Sequence, residues 1–313
     1  MLLFLRLLPV MVNLRKTFAF DLIDAHFAFP DGIAAGLLAG CMGVPFSVTL
    51  RGNETMHAEN FGRRKLMARA LRRAGRVIVL SERLRQFALS MGVDDRRVKI
   101  IPNGIDPEIF YPREQSMCRQ KFGLLPGAKI ILSAGTLIER KGHHHVVKAV
   151  SELQRKGMSV ELLIAGGAGR EGHYEKTIRK EVTDLGLTKS IHFCGEVSPE
   201  ELADLMSAAD VLCLASTREG WPNVLQEAMG CGTPVVATDV GAVKEMVPSR
   251  DFGLVVPVND SNALTQALAE ALGKDWDRNA VSKRAHSRTW EHVAQETFSE
   301  LQSMAATRAQ KKG

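Results

Sequence analysis

The sequence predicts an α/β chain built from two doubly wound parallel sheets. Short apolar runs separated by helical patterns recur at parallel-sheet spacing from residue 21 to residue 258. The chain, at 313 residues, is long enough for two domains that each bury a core. A turn-rich segment, PNGIDPEIFYP, ends at Pro112 and divides the runs into two groups. DLIDA, PFSVTL, RVIVL and VKIIP precede it; KIILSAG, VELLIAG, IHFCG, VLCLA, PVVAT and GLVVPV follow. The expected domains are residues 1–112 and 113–281, with 282–313 a helix returning to the first domain plus a basic tail.

The opening MLLFLRLLPVMV is short, broken by Arg6 and Pro9, and lacks a small-residue cleavage site, so it reads as a helix of the first domain rather than a signal peptide or membrane span. A complete domain of this kind opens with a strand and a glycine-rich loop and adds one or two βα units before a run such as DLIDA. The first domain is therefore expected to be incomplete at its N-terminus by on the order of a hundred residues.

The net charge of +6 is uneven: residues 1–112 hold 16 Lys and Arg against 10 Asp and Glu, and the remainder 25 against 25. Much of the excess lies in GRRKLMARALRRAGR, with Arg63, Arg64, Lys65, Arg69, Arg72, Arg73 and Arg76. Leu66, Met67, Ala70, Leu71 and Ala74 form one helical face, and Lys65, Arg69, Arg72 and Arg76 the other. Two readings stand, a solvated face and attraction to an anionic membrane or lipid phosphate. No recognition motif accompanies the charge, which speaks against nucleic acid. Five cysteines without a CxxC pair fit a reducing cytoplasm, and Cys194 and Cys213 read as core residues.

The chemistry concentrates in STREGWPNVLQEAMGCGTPVVATDVG, Ser216 to Gly241. Glu219 precedes a helix that starts near Asn223, and Glu227 lies about one turn inside it. A helix opening at the end of a parallel strand suits an anionic diphosphate, and the two carboxylates suit hydroxyl-rich ligands. In AGTLIERKG, Gly135 ends a strand and Lys141 follows six positions later, placed to neutralise a diphosphate. LIAGGAGREGHYEKT contains GxGxxG at Gly167, Gly169 and Gly172, which raises a dinucleotide reading, but on the second strand of its domain. His143, His144 and His145 raise a metal reading, yet adjacent residues at a helix start diverge, and no Asp-x-Asp motif is present, so no metal is expected.

Taken together, the Glu-x7-Glu motif with GxPN inside it, EAMxCGTPVVAT, AGTLIERKGHHHVVKAV, VIVLSERL with VKIIPNGIDPEIFYP, and FDLIDAHFAFPDG resemble the retaining glycosyltransferases of family 4, across about residues 18 to 300. The resemblance implies the GT-B fold of two Rossmann-like domains and transfer of a sugar from a nucleotide diphosphate sugar, the donor being a substrate and no cofactor being needed. It assigns donor contacts to Gly135, Thr136, Arg140, Lys141, Gly166, Gly167, Val197, Ser198, Glu219, Gly220, Trp221, Pro222, Asn223, Val224, Leu225 and Glu227. Gly195 to Ser198 would cover the base, Glu219 hold the sugar and Glu227 the ribose. Lys141 with Arg140 would stabilise the diphosphate, Arg140 standing in for the family's usual arginine after the glycine, which is replaced here by Thr136.

On the acceptor side the resemblance points to His26 and Asn103. Many members carry a histidine where this chain has Arg51 in TLRGNE. Arginine transfers no proton near neutral pH, so Arg51 joins Glu219 and Lys141 in the catalytic set as a hydrogen-bond donor or a clamp on an acidic group. The expected acceptor is a cell-surface glycan or lipid-linked molecule, reached from the cytoplasm at the inner membrane face. Two rivals stand beside this reading: a nucleotide-binding remnant without transfer, and a sugar-nucleotide epimerase, for which no acid/base residues stand out.

Overall fold

The computed structural model describes residues 2–125, 127–169 and 174–312, with side chains as far as residue 306. All ten expected strands form. The first sheet contains β1 (Ile23–His26), β2 (Phe46–Leu50), β3 (Arg76–Val79) and β4 (Val98–Ile100), in that order and all parallel. Its helices are α1 (Leu2–Thr17), α2 (Ile33–Met42), α3 (Glu54–His57), α4 (Phe61–Arg73) and α5 (Glu82–Ser90). The opening segment is thus a helix, and Arg15 of α1 donates to the carbonyl of Met42 at the end of α2.

The second sheet contains β5 (Lys129–Ala134), β6 (Val160–Ala165), β7 (Ile191–Gly195), β8 (Val211–Leu214), β9 (Val235–Thr238) and β10 (Gly253–Val256). Its order is β10-β9-β8-β5-β6-β7, again parallel throughout. The helices after β4 are α6 (Gln115–Lys121), α7 (His143–Arg155), α8 (Tyr174–Asp184), α9 (Pro199–Ala208), α10 (Asn223–Gly230), α11 (Val243–Met246), α12 (Ser261–Gly273), α13 (Arg278–His286) and α14 (Trp290–Lys312). Along β5, Ile130 and Leu132 enter one apolar core and Ile131 the other. Both faces of the strand are covered, which is why it reads as an uninterrupted apolar run.

The chain divides into one compact unit of residues 1–103 with 290–313 and another of residues 104–289. The first break therefore falls nine residues before the expected one. Ile105 and Phe110 are buried in the core of the second unit, so PNGIDPEIFYP belongs with it from Gly104 onward. The expected helix from 282 is also two helices. α13 packs on α10, and Ile105 donates its N–H to the Arg288 carbonyl at 3.1 Å, holding the break between α13 and α14.

The basic segment is corrected in two places. Its helix ends at Arg73, and Arg76 opens β3, its Nε 2.8 Å from Glu300 Oε2. Met67, Ala70 and Leu71 are buried as expected, but Leu66 is 51% exposed and lies outside the packed face. No described helix is long and apolar enough to cross a membrane.

Candidate functional site

In the second sheet β5 and β8 are neighbours, with β6 and β7 added on one side and β9 and β10 on the other. The loops leaving the carboxyl ends of such a pair run in opposite directions and open a crevice, the usual ligand position in this architecture. Here the β5 loop carries Gly135 to Lys141 and the β8 loop carries Ser216 to Pro222. Lys141 Nζ donates to Glu219 Oε1 at 2.7 Å, and Ser216 Oγ donates to the same oxygen at 2.8 Å. Arg140 Nη1 lies 3.7 Å from that oxygen and donates to the Arg218 carbonyl at 3.2 Å. Thr217 N–H donates back to the Arg140 carbonyl at 2.9 Å. Lys141 and Glu219, with side chains only 16% and 9% exposed, form one largely desolvated pair, so removing Glu219 leaves the Lys141 charge uncompensated, and removing Lys141 leaves Glu219 only the longer contact to Arg140.

Each of these loops is seated against the backbone of a neighbouring loop. Gly166, after β6, has φ +151°, and a Cβ there would stand 1.9 Å from the Gly135 carbonyl oxygen. Gly241, which the sequence reading left out of the site, has φ +53°, and a Cβ there would meet the carbonyl oxygens of Gly220 and Glu219 at 2.4 and 2.6 Å. It seats the loop that aims Glu219, and Ala242 N–H donates to the Gly220 carbonyl at 3.0 Å. Ser216 is a further site residue outside the expected set, and its spacing of three from Glu219 is the signal that points to it.

Pro222 caps α10 without a side-chain bond, and Asn223 and Val224 begin its first turn half-buried. Leu225 is buried in the core and its N–H donates to the Pro222 carbonyl, so it contributes packing. Trp221 Nε1 donates to Gln226 Oε1 at 3.2 Å. Glu227, half-buried, accepts no side-chain hydrogen bond among the described residues, and burial pushes its carboxyl up to about 7.

On the β6 and β7 side, Gly166 N–H donates to the Gly195 carbonyl at 2.7 Å and Leu137 N–H to the Gly167 carbonyl at 3.0 Å. Thr136 lies in the same loop, its carbonyl accepting from Ile138 N–H at 2.8 Å. Val197 packs half-buried against the core, while the Ser198 hydroxyl caps α9 by accepting from Glu201 N–H at 3.2 Å. Gly172 of the GxGxxG motif lies outside the described residues. The His144 and His145 rings lie 4.0 Å apart, centroid to centroid, while His143 is bonded elsewhere. His143 Nδ1 meets Ser133 Oγ at 2.8 Å, His144 meets the Tyr174 hydroxyl, and burial drops both rings to about 4. Burial also lowers His145, and among the described residues no three His, Cys, Asp or Glu side chains are grouped to hold a metal.

The first unit holds a separate polar cluster. His26 ends β1 and Arg51 follows β2; the register pairs His26 with Thr49 and so brings the two side chains together. Arg51 Nη2 and Nε lie 2.8 and 3.2 Å from His26 Nδ1, and Nη1 donates to Asn103 Oδ1 at 3.2 Å. Nδ1 accepting from arginine leaves the ring proton on Nε2, which faces Asp24 Oδ2 at 3.4 Å. Burial lowers the pKa of Arg51, with Asp24 and Glu54 opposing that shift. Glu54, itself buried, accepts from the N–H groups of Gly52 and Arg51 at 2.7 and 3.2 Å. This connection of His26, Arg51 and Asn103 is not visible in any local motif.

Residues 115–288 match the family model of glycosyl transferases group 1, and residues 1–109 match that of glycosyltransferase family 4. The D-inositol 3-phosphate glycosyltransferase of Corynebacterium urealyticum is 31% identical over 210 residues, 64% of this chain and 50% of that protein. The 2-deoxystreptamine glucosyltransferase of Streptomyces kanamyceticus is 31% identical over 254 residues, 75% of this chain and 64% of its own. The chain thus spans about half to two thirds of the length of these relatives. Among solved structures, Anabaena HepE in complex with UDP superposes with a TM-score of 0.85 at 22% identity, covering 95% of this chain and 82% of that one. The two parallel-sheet units have the GT-B architecture.

Proposed function

The chain belongs to the glycosyl transferases group 1 family, and from that premise we propose that it moves a sugar from a nucleotide diphosphate sugar to a hydroxyl of a cell-surface glycan or lipid-linked acceptor, with retention and without a metal. The observation that carries this reading is the convergence of Lys141 and Arg140 on Glu219 at the β5/β8 crevice, beside the opening turn of α10. The UDP held by the HepE structure is in keeping with a nucleotide diphosphate donor.

As the bond from the anomeric carbon to the diphosphate oxygen breaks, negative charge grows on the leaving group. Lys141 and Arg140 offset it with fixed cations. The acceptor oxygen attacks from the same face and its proton passes to the departing phosphate oxygen, so the protein supplies no strong base. Glu219 Oε1 is occupied by Lys141 and Ser216, which leaves Oε2 for a donor-sugar hydroxyl. Glu227, with its carboxylate unpartnered, accepts from the ribose. The enzyme works at the cytoplasmic face of the membrane, with the basic helix α4 toward the lipid.

Titration calorimetry with UDP and UDP-glucose tests the donor site. Lys141→Ala and Glu227→Ala are each expected to weaken binding by about 1.5 to 3 kcal/mol, the range for lost charge-assisted hydrogen bonds. Unchanged affinity in both variants would remove the site.

A further inference from the structure

Between α2 and α4 the first unit contains a cavity of about 330 Å³ whose walls are Ile33, Leu37 and Leu66 and whose floor is Phe46, with Arg69 and Arg73 at its rim. Gly36 helps to open it: a Cβ there would lie 3.1 Å from the Phe46 ring, so the bare backbone of α2 lets the groove reach that ring. Arg73 also lines an adjoining cavity of about 570 Å³ that extends past Gly40 to Arg76 and Arg97. The first volume lies at the lower end of the range for small-ligand pockets, roughly 300 to 1,000 Å³.

The charges at the rim differ from others in the same unit. Arg76, Arg85 and Arg96 each have a carboxylate within ion-pair distance, Glu300, Asp95 and Asp94 respectively. Arg69 and Arg73, both exposed, have none among the described residues, and no acidic residue occurs between Phe61 and Arg73. A solvated face explains exposed cations but not an apolar slot opening beneath them. Apart from the two guanidinium groups, the slot offers no side-chain donor or acceptor, so a peptide backbone entering it would lose its hydrogen bonds to water without replacement. An alkyl chain loses nothing, and a phosphate joined to that chain would meet Arg69 and Arg73.

We propose that this groove is a lipid-binding site that takes one acyl chain of an anionic bilayer phospholipid over Phe46, between Leu37 and Leu66, with the lipid phosphate on Arg69 and Arg73. The inference deepens the membrane-facing part of the proposed function and rests on it only for the identity of the surface the enzyme meets. It converts a general attraction of α4 for negative charge into a defined site with two parts, a cationic rim and an apolar slot.

Three probes separate those parts: vesicles of phosphatidylcholine with and without 30% phosphatidylglycerol, dihexanoyl-phosphatidylglycerol below its micellar concentration, and glycerol 3-phosphate. The full chain is expected to bind the phosphatidylglycerol vesicles, to bind the short-chain lipid saturably, and to bind glycerol 3-phosphate at least tenfold more weakly. The R69Q/R73Q variant should lose at least tenfold in vesicle affinity. Leu66→Asn should weaken the short-chain lipid at least threefold and leave glycerol 3-phosphate unchanged. All three substituted side chains are exposed, and an unchanged melting temperature confirms that each variant is folded. Equal binding of the two vesicle types, equal affinity for lipid and glycerol 3-phosphate, or Leu66→Asn without effect would each overturn the proposal. Calorimetry with UDP on the same samples keeps the two readings apart, because loss of UDP binding in the unmodified chain would sink the donor site and leave the groove standing.

Discussion

The two units carry their functional cations in opposite ways. In the second, Lys141 is bonded to a carboxylate that is itself held by Ser216, and the loops bearing them abut backbone against backbone at Gly142 and Ala215. In the first, the Arg51 guanidinium rests on neutral groups, His26 and Asn103, with the nearest carboxylates one contact further away. The contrast separates two kinds of tolerance. The Lys141–Glu219 pair is coupled, so the effects of substituting its members will not add. The Arg51 cluster is a fan of hydrogen bonds from one side chain, so its loss should be felt through that residue alone.

The largest effect expected from this comparison is structural. Gly166→Ala demands a φ of +151° from an L-residue and places its Cβ 1.9 Å from a carbonyl oxygen that belongs to the neighbouring loop. Backbone cannot rotate away as a side chain can. The expected cost is about 3 to 5 kcal/mol, read as a lowered urea midpoint for the second unit. A loss below about 1 kcal/mol would show that the loops are not seated on one another as described.

Next in size is Arg51→Gln. It removes the contacts to His26 and Asn103 from one end and changes no side chain of the β5/β8 crevice, so transfer should fall about ten- to hundredfold, as for one or two lost charge-assisted bonds. Affinity for UDP should be unchanged. If UDP affinity fell in parallel, the cluster would not be independent of the donor site. Arg51→Lys should recover little, because an ammonium lacks the planar fork that reaches both partners.

The sequence showed the second unit better than the first, and the reason is physical. Strands buried along their length, such as β8 and β9, read as continuous apolar runs without any pairing information, whereas β1 and β4 of the first unit are partly exposed. Glu219, Lys141 and Glu227 were legible because loop, helix start and charge are local in sequence. Their pairing was not: Lys141 and Glu219 were assigned to diphosphate and sugar separately, and only the adjacency of β5 and β8 puts their atoms 2.7 Å apart. Arg51 and His26, 25 positions apart, meet through the register of two parallel strands, which no periodicity reports. Arg76 was placed on the helix because the charge run continues past Gly75, whereas the chain turns there into β3. The break between α13 and α14 depends on the bond from Ile105, 183 positions from Arg288, and has no local signal.

A smaller effect, graded with pH, distinguishes Glu227 from the paired Glu219. Burial raises its carboxyl from 4.5 to about 7. Between those values the native protein holds a proton that the unfolded chain has released, so stability falls as pH rises. This contribution is fully present below 4.5 and is lost as pH passes 7, with a slope of at most about 1.4 kcal/mol per pH unit. Thermal melts of the parent chain and Glu227→Gln at pH 5, 6, 7 and 8 should therefore show the parent losing ground to the variant across that range. Nucleotide affinity should move the other way, strengthening toward pH 8 in the parent as the carboxylate forms. A pH-independent difference in melting temperature would mean that Glu227 is solvated and its carboxyl ordinary.

The smallest expected effect closes the comparison from the side of the first unit. Gly75, just before β3, would on substitution by alanine place a Cβ 2.5 Å from Met304 Sδ, a nominal overlap in the same class as that at Gly166. The neighbour decides the outcome. Met304 is buried on α14, but its thioether ends an unbranched side chain with three rotatable bonds, and it can swing away where a carbonyl cannot. The φ of Gly75 is not in the left-handed region, so alanine brings no backbone strain, and it also restricts the unfolded chain. Gly75→Ala should shift stability by about 1 kcal/mol or less, and leave the Arg76–Glu300 ion pair that ties α14 to β3 in place. Urea denaturation of Gly75→Ala beside Gly166→Ala measures the contrast directly. Equal losses in the two variants would mean that α14 is seated on the first sheet as rigidly as the loops of the donor crevice are seated on each other.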